Sequence, residues 1–165
     1  MSVKALLKPT LILTAICLVV TAALSVTNFF TQDKIAAAKA ETVAAAMERL
    51  VPGAAFQELQ EGVYEASTGA YVFLTSQMGY KSEIQVMTAV DRSGTVTGVT
   101  VVDCSEESPG IGQKVGTDMD FIEQFSGQSK QVQADAITGA TFSSDAVTKA
   151  VNDALILFAD LKGGQ

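Results

Sequence analysis

Four hydroxyls crowd one short run near the end of the chain: Thr138, Thr141, Ser143 and Ser144, with Gly139 and Ala140 between the first two. Residues without bulk let a backbone turn sharply or let a ligand approach it closely. Upstream, Val132 alternates with polar Gln131 and Gln133, as in a half-buried strand. Downstream, Ala146, Val147, Ala150, Val151, Ala154, Leu155 and Phe158 recur at helical spacing, and Ser143 or Ser144 stands where an N-cap would. Thr141 thus offers a hydroxyl just before a helix N-terminus, where free N–H groups and the helix dipole favour a phosphate. An ordinary strand–turn–helix joint with capping hydroxyls would read the same way.

A second cluster is Glu106-Glu107-Ser108-Pro109-Gly110-Ile111-Gly112-Gln113-Lys114. Pro109 fixes one backbone angle while Gly110 and Gly112 free others, giving a rigid, unobstructed loop with donor N–H groups. A plain strand-to-helix connector would also fit. Other chemistry is thinly provided for. There is no histidine, so hydrolase triads and zinc sites lack their usual base and ligand. Two cysteines, Cys17 and Cys104, do not make a metal-cluster motif. Cys104, near the second cluster, reads as a half-buried strand-end residue or a reactive thiol. No catalytic residue and no metal ligand is assigned, and redox work would need a borrowed cofactor.

The two strings together change the weighting. Asp135-Ala136-Ile137-Thr138-Gly139-Ala140-Thr141, followed by serines and Val147, resembles the flavinylation motif of the covalent FMN-binding domain family. That family includes the G subunit of the Rnf electron-transport complex and the C subunit of the sodium-pumping NADH:quinone reductase. The Glu107–Gly112 string resembles the Glu-Thr-Pro-Gly-Leu-Gly loop that the family lays along its flavin, with Ser108 for Thr and Ile111 for Leu. Many members carry a His two positions before the Glu; Ser105 stands there, so no imidazole role carries over. The resemblance implies that a flavin transferase joins FMN to Thr141 by a phosphoester. Thr138, Gly139 and Ala140 would shape the turn around it. Gly110, Ile111 and Gly112 would lie against the ring, and Glu107 and Ser108 would hold the loop or hydrogen-bond the ring edge.

The elements that must position these residues read as follows. Phe56–Leu59, Gly62–Ser67, Tyr71–Ser76, Glu83–Val90 and Thr95–Asp103 are strand-like segments rich in Val, Thr, Phe and Tyr. Turn residues separate them: Ser67-Thr68-Gly69, Met78-Gly79-Tyr80 and Asp91-Arg92-Ser93-Gly94. Tight turns between successive strands mean an antiparallel sheet. Residues 119–125 suit a short helix capped by Thr117 or Asp118. The fold class expected is α+β: an N-terminal transmembrane helix, then a small FMN-binding domain with an antiparallel sheet and flanking helices.

No charge falls between Pro9 and Gln32, and that stretch matches the ~20 apolar residues a helix needs to cross a bilayer. A cleavable signal peptide is the rival, with Thr21-Ala22-Ala23-Leu24-Ser25 a poor processing site and the apolar run continuing to Phe30. The net charge is −7, and without Lys4 and Lys8 the remainder carries −9. An acidic body argues against nucleic-acid binding, which relies on basic patches. The two lysines predict the N-terminus inside and the domain outside. The expected segments are 1–8 cytoplasmic, 9–32 transmembrane, 33–52 a juxtamembrane helix ended by Pro52-Gly53, and 53–165 the extracytoplasmic domain.

The function these expectations compose is a membrane-anchored electron carrier of an Rnf-type complex, coupling ferredoxin and NAD oxidoreduction to ion translocation. Its partners would be the membrane, the other membrane subunits, and a flavin transferase for maturation. The alternatives are the FMN subunit of a sodium-pumping NADH:quinone reductase or other membrane reductase, and an extracytoplasmic sensor domain without a cofactor.

Overall fold

The computed structural model describes residues 3–163. Residues 1–2 and 164–165, the outer ends of the 1–8 and 53–165 segments, lie outside the described residues, as do the side chains of Lys4 and Lys8. The chain falls into two compact units, residues 1–41 and 42–165.

The described part of the first unit is helical, the greater part of α1 (Val3–Leu50), and no break marks the expected boundary at 32/33. Every side chain from 9 to 30 is exposed, and the most apolar stretch has mean hydropathy 2.3. By length and composition this helix is able to cross a membrane. Two of its hydroxyls are satisfied locally: Thr27 donates to the Ala23 carbonyl and Thr31 to the Thr27 carbonyl, each at 2.9 Å. Such back-bonding spares a hydroxyl the cost of an unpaired state in hydrocarbon.

The second unit is built on a five-stranded antiparallel meander: β1 (Phe56–Gln60), β2 (Val63–Ala66), β3 (Tyr71–Met78), β4 (Glu83–Val90) and β5 (Val96–Asp103), in that spatial order. The five strands expected between Phe56 and Asp103 and the turns between them are present, with ends shifted by a residue or two. Period-two alternation assigns the two faces. Phe73, Ile84, Val86 and Val90 pack with α3 (Thr141–Gly163), whereas Val72, Met87 and Ala89 pack with Ala46 and Met47 from the last turns of α1. β4 is therefore buried on both sides from Val86 to Val90.

Helix α3 is tied to the sheet by more than apolar contact. The buried Thr75 hydroxyl donates to the Ala150 carbonyl at 2.9 Å, and Phe158 meets Tyr71 and Phe73 edge-on at 5.7 and 6.4 Å between ring centroids. Burying a Phe of this kind contributes about 1.5–3 kcal/mol. Between β5 and α3 run a 3-10 turn (Gly112–Gly116) and the short α2 (Met119–Glu123). Asp118 caps α2, accepting from the Phe121 N–H at 3.2 Å, as one of the two expected caps.

One expected strand is absent. Val132 is buried, but the segment around it pairs with no strand. The Asn152 amide on α3 accepts from the Val132 N–H at 2.8 Å and donates to its carbonyl at 3.0 Å. A single side-chain amide thus does for this residue what a neighbouring strand would do.

Candidate functional site

Helix α3 begins earlier in the hydroxyl-rich run than the serines suggest, with Thr141 as its first residue. Ser143 and Ser144 therefore lie inside the first turn and face inward, each 1% exposed, and neither caps the helix. Instead the Ser144 hydroxyl accepts from the Ile137 N–H at 3.1 Å, and the Ala140 N–H donates to the Ile137 carbonyl at 2.9 Å. These bonds close the turn. Gly139 holds φ +82° there, a conformation that a residue with a Cβ adopts only under strain. Thr138, Gly139 and Thr141 are not enclosed, while Ala140 is buried beneath them.

The helix opens outward at this point. Ser144 N–H already donates to the Ala140 carbonyl, but among the described residues the N–H groups of Thr141, Phe142 and Ser143 find no acceptor. Three unengaged donors at the positive end of a 23-residue helix, beside an exposed hydroxyl, form a setting for an anion.

The second cluster meets the first through one carboxylate. Glu107 is 1% exposed. Its Oε2 accepts from the Ser143 hydroxyl at 2.7 Å, and its Oε1 accepts from the N–H groups of Lys81 and Ser82 at 2.8 and 2.9 Å. Burial pushes this carboxyl's pKa upward. The Lys81 and Ser82 N–H groups, the Ser143 hydroxyl and the Tyr80 N–H outweigh it, so the pKa lies below the usual carboxylate value. Glu107 thus fastens the Glu107–Gly112 loop, the β3–β4 turn and the first turn of α3 to one another. Both of its oxygens are engaged within the protein.

The rest of the loop is shaped around that latch. Gly112 is buried so closely that a Cβ there would lie 2.6 Å from Glu107 Oε2 and 3.1 Å from Ser143 Oγ; one on Gly79 would lie 2.6 Å from Glu107 Oε1. The Ser108 carbonyl accepts from the Ile111 and Gln113 N–H groups, each at 3.2 Å, curling the loop so that Gly110 and Ile111 stand exposed. Ile111 approaches Gly139, its Cγ2 lying 3.9 Å from where a Gly139 Cβ would be. The sequence-assigned residues Glu107, Ile111, Gly112, Gly139 and Thr141 are therefore neighbours. Ser108 is half-buried and acts through its backbone.

Four participants, Lys81, Ser82, Tyr80 and Phe142, carry no assignment from sequence, and a fifth, Ser143, takes a role other than the expected one. Ser143, expected as a cap, is a ligand of Glu107. The β3–β4 turn supplies the Lys81 and Ser82 donors. It also carries Tyr80, which meets Phe142 at 6.1 Å between ring centroids. Only the helical register, which puts Ser143 inward and Phe142 outward, holds a signal for them. Cys104 is half-buried, and its Sγ donates weakly to the Gln113 carbonyl at 3.8 Å. Burial, then the charges of Asp103 and Glu107, push its thiol pKa up, which opposes thiolate reactivity.

The donor set suits a phosphate, and the exposed Ile111, Tyr80 and Phe142 suit a flat apolar ring; FMN combines the two. A model of the FMN-binding domain matches residues 79–156, the span holding every residue of this site, and the RnfG N-terminal region matches residues 1–50. The G subunit of the Na(+)-translocating ferredoxin:NAD(+) oxidoreductase complex of Acetobacterium woodii is 29% identical over 96% of this chain and 94% of its own. The G subunit of an ion-translocating oxidoreductase complex from Cereibacter sphaeroides is 31% identical over 78% of this chain and 73% of its own. Among solved structures, NqrC of Shewanella oneidensis superposes with a TM-score of 0.48 at 23% identity, covering 56% of this chain and 54% of that one. From its N-terminal helix to its flavin-type loops, this chain belongs to the G-subunit family of ion-translocating oxidoreductase complexes, with an FMN-binding domain in its C-terminal half.

Proposed function

We propose that the chain is the electron-carrying G subunit of an Rnf-type complex, anchored by α1 and holding FMN covalently through Thr141. The observation that carries this reading is the exposed Thr141 hydroxyl beside three unengaged N–H groups, on a helix end latched to the Gly110–Gly112 loop by Glu107. FMN, when bound, supplies the one- and two-electron chemistry that this histidine-free chain lacks.

The chain's own residues would do four things. Thr141 Oγ1 would carry the phosphate, and the N–H groups of Thr141, Phe142 and Ser143 would stabilise its remaining negative charge. Gly139 and Ala140 would keep the approach clear. Ile111 would offer an apolar contact. Glu107 would touch no part of the cofactor but would hold the loop and the helix end in register. The roles expected of Ser108 and Gly112 narrow accordingly: Gly112 makes room for the Glu107 carboxylate, and Ser108 curls the loop.

The partners proposed are a flavin transferase, the other membrane subunits of a complex such as the relatives' names describe, and the bilayer itself. The C-terminal domain would lie outside the cytoplasmic face, with segments 1–8, 9–32, 33–52 and 53–165 as expected from sequence. A covalent bond suits a carrier on that side, where no free FMN pool would replace a lost cofactor.

The test is the intact mass of the full chain co-expressed with a flavin transferase, with peptide mapping, against Thr141→Val. The wild-type chain gains FMN less one water on the peptide holding Thr141, and the variant stays unmodified and folded. An unmodified wild-type chain, with the transferase shown to be active on another substrate, would refute the reading and leave a cofactor-free sensor domain. Flavin retained on Thr141→Val would refute the attachment site.

A further inference from the structure

Helix α1 is not apolar all round. Across the uncharged stretch from Pro9 to Gln32, Thr10, Thr14, Cys17, Thr21, Ser25 and Asn28 follow one another every three or four residues. Gln32 ends the row. At about 100° per residue, these side chains leave the helix within an arc of about 80°. No other residue of the stretch falls in that arc. The rest of the surface is Leu, Ile, Val, Ala and Phe, apart from Pro9, Thr27 and Thr31.

Hydrogen bonding sets the row apart from its surroundings. Thr27 and Thr31, both off the arc, donate to carbonyls of their own helix four residues back, each at 2.9 Å. Thr14, Thr21 and Ser25, on the arc, have the same recourse and do not take it. Among the described residues, their hydroxyls and the Asn28 side-chain amide make no hydrogen bond. All four side chains are exposed, and a lipid tail offers none of them a partner.

We propose that this row is a seam along which α1 packs against a transmembrane helix of another membrane subunit, one that presents hydroxyl or amide side chains to it. This rests on the reading of α1 as a membrane-spanning helix in a multi-subunit complex. A helix ringed by lipid gains from apolar residues on every side, whereas polar side chains at membrane depth face protein. A helix lying flat on a membrane surface would carry charges along its polar face, and this row has none. The same lack of charge sets the row apart from an ion or proton relay.

The spacing argues for a different subunit over a second copy. Identical chains insert in the same direction and would pair as parallel helices. Left-handed pairs of that kind repeat every ~3.5 residues, and close right-handed pairs rely on glycine. The seam advances about 3.7 residues per step from Thr10 to Gln32, and α1 contains no glycine. A step so near the helix's own ~3.6 keeps the row on one side of a straight helix for the whole crossing.

The test uses the full chain, tagged and expressed in its native host in place of the untagged copy. A photo-crosslinking amino acid replaces Thr21 or Asn28 in the seam, or Val19 or Val26 on the opposite side. Flavin loading and recovery of the other subunits with the tag are the controls. The seam positions should give at least five-fold more adduct, and its mass should identify a transmembrane peptide of another subunit. Asn28→Leu keeps the size of the side chain and the apolar character of the helix. It should lower recovery of the other subunits at least three-fold, and Asn28→Gln should restore it. Equal adduct from both sides, adduct with a second copy of this chain, or full recovery with Asn28→Leu would overturn the seam and leave the flavin reading intact. A flavin-loaded wild-type chain that recovers no other subunit would overturn the subunit reading and the seam together.

Discussion

Replacing Glu107 tests whether one buried carboxylate holds the site together. Glu107→Ala strands three donors: the Lys81 and Ser82 N–H groups and the Ser143 hydroxyl. Each stranded buried donor costs about 1–3 kcal/mol, part of it offset because a buried charge is also removed, so the net loss is about 3–5 kcal/mol. Against the ~5–15 kcal/mol that holds a typical domain folded, that is a large fraction. Glu107→Gln keeps the shape. Its carbonyl oxygen can still accept from the two N–H groups, and its amide nitrogen can donate to Ser143 Oγ. What it loses is charge assistance, so about 1–2 kcal/mol is expected. At roughly 4 °C per kcal/mol, full chain in detergent micelles should melt ~12–20 °C lower for the Ala variant and ~4–8 °C lower for the Gln variant.

The pH dependence has a definite sign. The folded pKa of Glu107 lies below its ordinary value of 4.5, so its ionised form stabilises the fold. That contribution is complete above the unfolded value and is lost as pH falls through the lower folded value. The wild-type advantage over Glu107→Gln should therefore be constant from pH 7 to about 5 and close at more acid pH. An equal gap at about pH 3 and about pH 7, or none at neutral pH, would refute the claim that the carboxylate charge is what fastens the three segments.

Two further outcomes are expected. Gly112→Ala should lower the melting temperature by several degrees, a cost of about 1–3 kcal/mol, because its Cβ would fall 2.6 Å from Glu107 Oε2; Gly163→Ala, with nothing within 4 Å, should not. A protease-cleavable tag at the C-terminus should be cut from outside spheroplasts and spared inside sealed ones of inverted orientation; the reverse pattern would overturn the proposed topology.

The sheet is legible in the sequence because its signals are local. Alternating apolar residues and short turns name β1 to β5 without reference to anything distant, and Asp118 announces α2 in the same way. The first turn of α3 misleads because the string Thr-Phe-Ser-Ser offers three hydroxyls, each a competent cap. What decides among them is Glu107, thirty-six residues upstream of Ser143, whose buried oxygen takes Ser143 inward. Val132 misleads for a similar reason: its apolar–polar alternation is real, but its partner is the Asn152 side chain rather than a strand. The aromatic pair is invisible because Tyr80 and Phe142 are far apart in sequence and meet only in the fold. Spacing reveals what lies within one element, whereas a site assembled by a single distant side chain leaves no periodic trace.

The first turn of α3 carries two messages in one string of letters. Thr141 and Phe142 face outward, while Ala140, Ser143 and Ser144 face inward and are read only by the protein's own interior. The inward letters specify a shape, and on the proposed reading the outward ones specify a cargo. A string search cannot tell these apart, since it counts all five as one pattern. A chain that kept the inward three and lost the threonine hydroxyl would fold the same turn, match the pattern nearly as well, and carry nothing. The information separating a loaded carrier from an empty turn would then reside in one oxygen atom, and the pattern around it would be mostly architecture.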